Sequence, residues 1–146
     1  MGSKAEVMEM HTKSDPLVVI ERIRQAINRR DLDALAECFD ANYRSEFPAH
    51  PDRAFGGHDQ MRANWGRIFR TVPDIEAVVL STATDADTVW VEWEWAGTCT
   101  DDSPFLHRGV TIHGVRGDRT EWVRLYMEPV QESGPGIGVA LQGASR

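Results

Sequence analysis

Through the first half of the chain apolar residues recur at helical spacing, and through the second half they alternate with polar ones at strand spacing. Asp15-Pro16 is a helix start, a side-chain cap followed by proline at the first helical position. Leu17, Ile20, Ile23 and Ile27 then form one stripe, which ends near Arg29-Arg30. Asp31 can cap a second, shorter helix carrying Leu32, Leu35 and Phe39, so the two should form a helical hairpin. Residues Asn42 to Phe47 read as a short strand, and Pro48 to Gly57, with two prolines and two glycines, as a loop. A third helix, capped by Asp59, presents Met61, Trp65, Ile68, Phe69 and Val72 before Pro73-Asp74 stops it.

From Ile75 the period is two. Ile75 to Thr84, Thr88 to Thr98, Phe105 to Val115 and Arg119 to Val130 read as four long strands joined by short turns. Helices segregated to one side of such a meander make an α+β domain. Long strands curl as they twist, so a helix across the concave side leaves a pocket. The pattern therefore predicts a curved antiparallel sheet packed against three helices. Residues 1–14 should be a flexible lead-in, 15–131 the folded domain, and 132–146, rich in Gly, Ser and Ala, an irregular or loosely docked tail.

Charge and cysteine usage narrow the partners. The formal net charge is -7 with no long basic run, which argues against nucleic acid and anionic membrane. No apolar run approaches a membrane span, and Met1 to Ser14 lacks a signal core. Met1-Gly2 begins like a myristoylation signal, but Glu6 stands where Ser or Thr is needed. Cys38 and Cys99 show neither a zinc nor a redox spacing, so free thiols in a reducing cytoplasm are the expectation. The five histidines form no metal set, and neither Gly56-Gly57 nor Gly134-x-Gly136 forms a phosphate loop. No cofactor or metal is expected.

Three stretches together resemble the nuclear transport factor 2-like superfamily, and within it the SnoaL-like proteins. The first is Phe55-Gly56-Gly57 with its helix through Trp65 and Phe69 to Val72-Pro73-Asp74. The second is Val89-Trp90-Val91-Glu92-Trp93-Glu94-Trp95-Ala96-Gly97-Thr98. The third is Arg108-Gly109-Val110, then Gly117-Asp118-Arg119, then Arg124 to Val130. The resemblance narrows the expected sheet to a cone-shaped one and implies a fold more than an activity, because the superfamily holds isomerases, polyketide cyclases, epoxide hydrolases, dehydratases and noncatalytic binders. Its ketosteroid isomerases keep a catalytic Asp where this chain places Phe47, so a faithful steroid isomerase is not expected. Its limonene epoxide hydrolase-like members carry Arg-x-Asp on a central strand and another Asp on the last. The matching positions here are Glu92-Trp93-Glu94 and Leu125, with Arg124 and Glu128 beside it.

Candidate chemistry follows from faces. Glu92 and Glu94 share one strand face with Trp90, Ala96 and Thr98, and Val89, Val91, Trp93 and Trp95 share the other. If the glutamate face is concave, repulsion and desolvation raise at least one carboxyl pKa, as a general acid or base needs. If the Val89–Trp95 face is the core, the glutamates meet solvent or a second subunit. Periodicity favours the second arrangement and the hydrolase-like resemblance the first. Trp122, Arg124, Tyr126 and Glu128 share a face of the last strand, where Arg124 and Tyr126 are candidate oxyanion partners or a structural cross-strand set. His107, Thr111 and His113 share a face of the penultimate strand, and His50 lies at the expected cavity mouth. His50 and His107 are the preferred proton carriers, although a histidine is more often surface or structural. Phe47, Trp65 and Phe105 are candidate pocket walls.

The leading functional expectation is a cofactor-independent acid/base enzyme for cyclisation, isomerisation or hydration/dehydration of a hydrophobic or polyketide-like substrate. Its catalytic set would be Glu92, Glu94, Arg124, His107 and His50, and its binding set Phe47, Trp65, Phe105, Tyr126 and Glu128. The alternatives are a noncatalytic binder of a hydrophobic metabolite and a dimeric interaction module. Three tryptophans on one strand also predict a homodimer through the open sheet.

Overall fold

The computed structural model describes residues 15–144; the expected flexible lead-in, residues 1–14, lies outside them. Helix α1 spans Leu17–Arg29, and Asp15 Oδ1 accepts from the Leu17 amide at 3.0 Å at its start. Val19, Ile20, Ile23, Ala26 and Ile27 form its buried stripe. Arg30 ends it in the left-handed region, φ 54°, where its amide and that of Asp31 return to Ile27 and Ala26 carbonyls. Asp31 then caps α2, Leu32–Glu37, its carboxylate accepting from the Ala34 amide at 3.0 Å.

Phe39 departs from the expected stripe of the second helix. It opens strand β1, Phe39–Glu46, three residues before the expected start. Within the loop that follows lie a 3-10 turn, Pro51–Arg53, and a two-residue strand β2, Phe55–Gly56. Helix α3, His58–Thr71, begins after Gly57 at φ 82°. Gly57, not Asp59, is therefore the cap, and Asp59 sits in the first turn, where its charge suits the helix dipole.

Strands β3 (Glu76–Asp85), β4 (Thr88–Thr98), β5 (Pro104–Arg116) and β6 (Arg119–Pro129) form the expected antiparallel meander. The sheet order is β2-β1-β6-β5-β4-β3, and β1 runs parallel to β6, so the curved sheet is mixed at that edge. The tail, expected to be irregular or loosely docked, carries a helix α4, Ile137–Ala144, on which Ile137 and Val139 are exposed.

The core fills the space between the helices and one face of the sheet. Val89, Val91, Trp93 and Trp95 lie in it and are buried. Asn28 fastens α1 to the edge of β3: its amide donates to the Ala77 carbonyl at 3.1 Å and accepts from the Ala77 amide at 2.6 Å. A side chain thus satisfies the strand edge where no further strand pairs. Gly97 lets the α3 exit lie flat on β4, since a Cβ there would come within 2.5 Å of Val72 Cγ1 and 2.8 Å of Asp74 Oδ1. Asp74 Oδ1 accepts from the Thr98 amide at 2.7 Å, which holds that contact.

Candidate active site

Between the helices and the concave sheet face lies a cavity of about 320 Å³. Ile23, Ile27 and Leu35 from α1 and α2, and Met61, Trp65 and Ile68 from α3, close one side. Trp93 and Trp95 of β4, His107, Thr111 and His113 of β5, and Val123, Leu125 and Met127 of β6 line the sheet side. Phe39, Tyr43, Ser45, Phe47, Arg53 and Phe55 complete the wall. The lining is mostly apolar with a few polar groups, the usual make-up of a small-molecule site.

Two arrangements set its chemistry. The first is a buried polar chain. Trp93 Nε1 donates to Thr111 Oγ1 at 2.8 Å, Thr111 Oγ1 lies 2.8 Å from His113 Nε2, and His113 Nδ1 lies 3.1 Å from Thr120 Oγ1. Indole can only donate, so Thr111 Oγ1 accepts from it and shares a further hydrogen bond with His113 Nε2. Thr120 Oγ1 partners the other ring nitrogen, Nδ1. Complete burial disfavours the imidazolium and pushes the His113 pKa down to about 3. His113 is therefore a neutral, fully used structural histidine.

The second arrangement is His107 beside Trp95. The two are cross-strand partners on the concave face, a relation that brings Cβ atoms to about 5 Å. The His107 ring stacks on Phe105 at 4.3 Å and 15°. Burial lowers its pKa, and the Glu128 carboxylate opposes that shift in part. His107 is accordingly neutral near pH 7 and able to accept a proton. Tyr43 is held as a neutral phenol, its pKa raised by burial. No carboxylate lies among the described lining residues.

The sequence-derived site residues separate into four groups, the last being the pair His50 and Glu128. Phe47, Trp65 and His107 line the cavity. Phe105 backs His107 and faces an adjoining shallow depression. Glu92, Glu94, Arg124 and Tyr126 stand on the opposite, outer face of the sheet. Register fixes this: Glu92 lies across from Val110, Glu94 from Arg108, and Tyr126 from Val110, between the concave positions His107, Thr111 and His113. Of the two arrangements open for the β4 glutamates, the one with Val89 to Trp95 as core is present, so no carboxylate pair enters the cavity.

On the outer face, Glu94 accepts from Arg108 Nε at 2.9 Å. Arg124 lies over the Trp122 ring at 4.7 Å and approaches Glu46 at 3.9 Å. His50 is not among the lining residues. Its Nε2 meets Glu128 Oε1 at 2.7 Å in an exposed pair. Residues that had not been singled out also line the cavity, among them Tyr43, Ser45, Arg53 and Asn64. Trp95 was placed only by its alternation with Trp93. Its cross-strand pairing with His107 was the available signal.

A curved sheet wrapped by helices around a mostly apolar cavity is the cone-shaped α+β class of fold. The SnoaL-like domain model matches residues 20–130, and the chain belongs to that family. No curated protein matches it by sequence. Among solved structures it is similar to IdmH of Streptomyces antibioticus, described as a candidate polyketide cyclase, at 19% identity and TM-score 0.68, covering 78% of this chain and 92% of that one. It is also similar to a candidate isomerase from Bacillus subtilis, at 16% identity and TM-score 0.69, covering 82% and 88%. A protein with a ketosteroid isomerase-like fold from Catenulispora acidiphila, in complex with trimethylamine, matches at 17% identity and TM-score 0.64, covering 73% and 82%. At these identities the likeness shows a shared fold. No helix among the described residues is long and apolar enough to cross a membrane.

Proposed function

We propose that this chain is a cofactor-independent enzyme that moves a proton on a hydrophobic, polyketide-like substrate held in the cavity, with His107 as the general base. The observation that carries the reading is the placement of His107: a half-buried imidazole, kept neutral at pH 7 by that burial, on the wall of a mostly apolar cavity. In the step envisaged, an imidazole nitrogen of His107 takes a proton from a carbon next to a substrate carbonyl. The C–H electron pair moves into the enolate, whose oxygen takes the charge, and the proton returns at the same or another carbon. An isomerisation or cyclisation built on this step consumes no outside oxidant or reductant. The SnoaL-like family and the cyclase and isomerase descriptions of similar structures support the same reaction class.

The experiment is solvent deuterium exchange at the α-carbon of 2-tetralone, a bicyclic ketone, followed by NMR. Wild type should accelerate exchange over buffer, and His107→Gln should abolish the acceleration while 2-tetralone still binds. Undiminished exchange in His107→Gln removes the assignment. A cavity wall without a carboxylate among the described residues favours a second reading, a noncatalytic binder of a hydrophobic metabolite. Binding of 2-tetralone without any wild-type acceleration supports that reading instead.

A homodimer through the outer sheet face belongs to the same proposal. Val78, Leu80, Trp90 and Tyr126 are exposed apolar or aromatic groups, and Val78, Trp90 and Tyr126 share that face. The domain buries Trp93 and Trp95 within itself, so the argument from three tryptophans reduces to Trp90 and its neighbours. Sedimentation equilibrium tests it, and a monomer at micromolar concentration rejects it.

A further inference from the structure

Phe47, Arg53, Phe55 and Asn64 line both the cavity and a shallow surface depression beside it, so the cavity reaches the surface here, next to β2. Arg53 is the one permanently charged side chain among the described lining residues of the cavity. It is exposed. Arg24, Arg62 and Arg108 each hold a carboxylate, at 2.6, 2.8 and 2.9 Å, whereas the Arg53 guanidinium pairs with none among the described residues. Asp52 lines the depression with it but forms no ion pair with it. The backbone at Arg53 is fixed on both sides. Pro51 opens the 3-10 turn, the Arg53 amide donates to the His50 carbonyl at 2.9 Å, and Phe55 pairs with Ser45 of β1. Asn64 of α3 adds a second donor: its Oδ1 accepts from Gln60 Nε2 at 2.7 Å, which leaves its NH2 group uncommitted. The mouth therefore offers a fixed positive charge and several N–H donors. The wall behind it is aromatic, with the Phe47 and Phe55 rings 6.4 Å apart.

We propose that the cavity takes amphipathic carboxylic acids, with the apolar body inside and the carboxylate held at the mouth by Arg53, seconded by Asn64. The inference rests on the cavity being the substrate site, as proposed above, and adds the substrate class and a binding residue. A carboxylate suits the mouth for three reasons. The planar guanidinium matches its two oxygens with parallel N–H···O bonds. A single cation balances a single negative charge, whereas a phosphate dianion would leave charge uncompensated on a protein of net charge -7. Because Arg53 is exposed, the carboxylate keeps part of its hydration and only the apolar body is stripped of water. His107, neutral near pH 7, offers the anion no competing charge deeper in the cavity.

The test compares 2-naphthoate with 2-naphthamide, the same bicyclic body carrying a neutral group of nearly the same shape, by calorimetry at pH 7. Wild type should bind the naphthoate about 5- to 20-fold more tightly, between the worth of an exposed ion pair and that of a buried charged hydrogen bond. Raising the salt from about 50 mM to about 500 mM should narrow that advantage. Arg53→Gln, at an exposed position, should abolish it and leave naphthamide affinity unchanged. Arg53→Lys keeps the charge but not the fork, and should retain part of it. Arg29→Gln removes the same charge outside the cavity and should retain all of it. A naphthoate advantage that survives Arg53→Gln, or that falls equally in Arg29→Gln, overturns the proposal. Tighter binding of 2-naphthyl phosphate than of naphthoate overturns the carboxylate class as well. If neither naphthoate nor naphthamide binds wild type, the cavity function itself falls. If both bind alike and Arg53→Gln changes neither, the cavity function stands and only the carboxylate selection is lost.

Discussion

His113 gives the most quantitative handle on this fold. The side chain is buried, its two ring nitrogens face Thr111 and Thr120, and no charged group is bonded to it. Desolvation lowers its pKa from 6.5 to about 3. Between those values the unfolded chain binds a proton that the folded chain refuses, so acid favours unfolding. The contribution is complete above about pH 6.5 and is lost, at ~1.4 kcal/mol per pH unit, as the pH falls toward about 3. Between about pH 7.5 and pH 4.5 the loss comes to roughly 2.5 kcal/mol. His113→Gln keeps polar atoms in the pocket but cannot titrate there. Urea unfolding of both proteins across that range checks the effect, because the carboxylates and the other histidines are common to the two and cancel in the difference. Wild type should begin the more stable, and its advantage should shrink by roughly 2.5 kcal/mol at the acid end. A constant difference would refute the reasoning and would mean that His113 is protonated, or water-accessible, in the folded protein.

Three further outcomes follow from the same structure. Asn28→Ala should cost about 1–3 kcal/mol in chemical denaturation, since it strips both hydrogen bonds from the buried Ala77 peptide groups. Gly97→Ala should cost a similar amount, about 1–3 kcal/mol, because its Cβ meets Val72 and Asp74; a thermal midpoint equal to wild type would show that the α3 exit yields freely. The double change Glu92→Gln, Glu94→Gln should leave 2-tetralone affinity and exchange unchanged, since both side chains stand outside the cavity, and loss of either activity would return a carboxylate to the site.

The helical hairpin, the third helix and the four-strand meander were legible because each carries its own period and its own stops. Asp31 caps where its spacing says it should, and the meander strands end at the expected turns, with Gly117 at φ 66° in the last. Phe39 was misassigned because its spacing from Leu32 and Leu35 fits a helix as well as a strand entry. A six-residue helix leaves too few turns for the pattern to decide. Asp59 yielded to Gly57 because the helix entry adopts a positive φ, which local composition does not announce. The tail helix was missed because glycines interrupt its apolar residues.

What the sequence settled by itself was parity. It grouped Glu92 with Glu94, Trp93 with Trp95, and His107 with His113, because side chains alternate across any strand. It could not say which group faces inward. A period of two is the same seen from either side, and both faces of β4 carry tryptophan. That choice belongs to the helices: α1, α2 and α3 cover the Trp93–Trp95 face, which makes it the dry one. With that single decision the two glutamates become surface groups, His107 becomes a titratable group on the cavity wall, and the Trp95 indole N–H is left without a hydrogen-bond partner among the described residues.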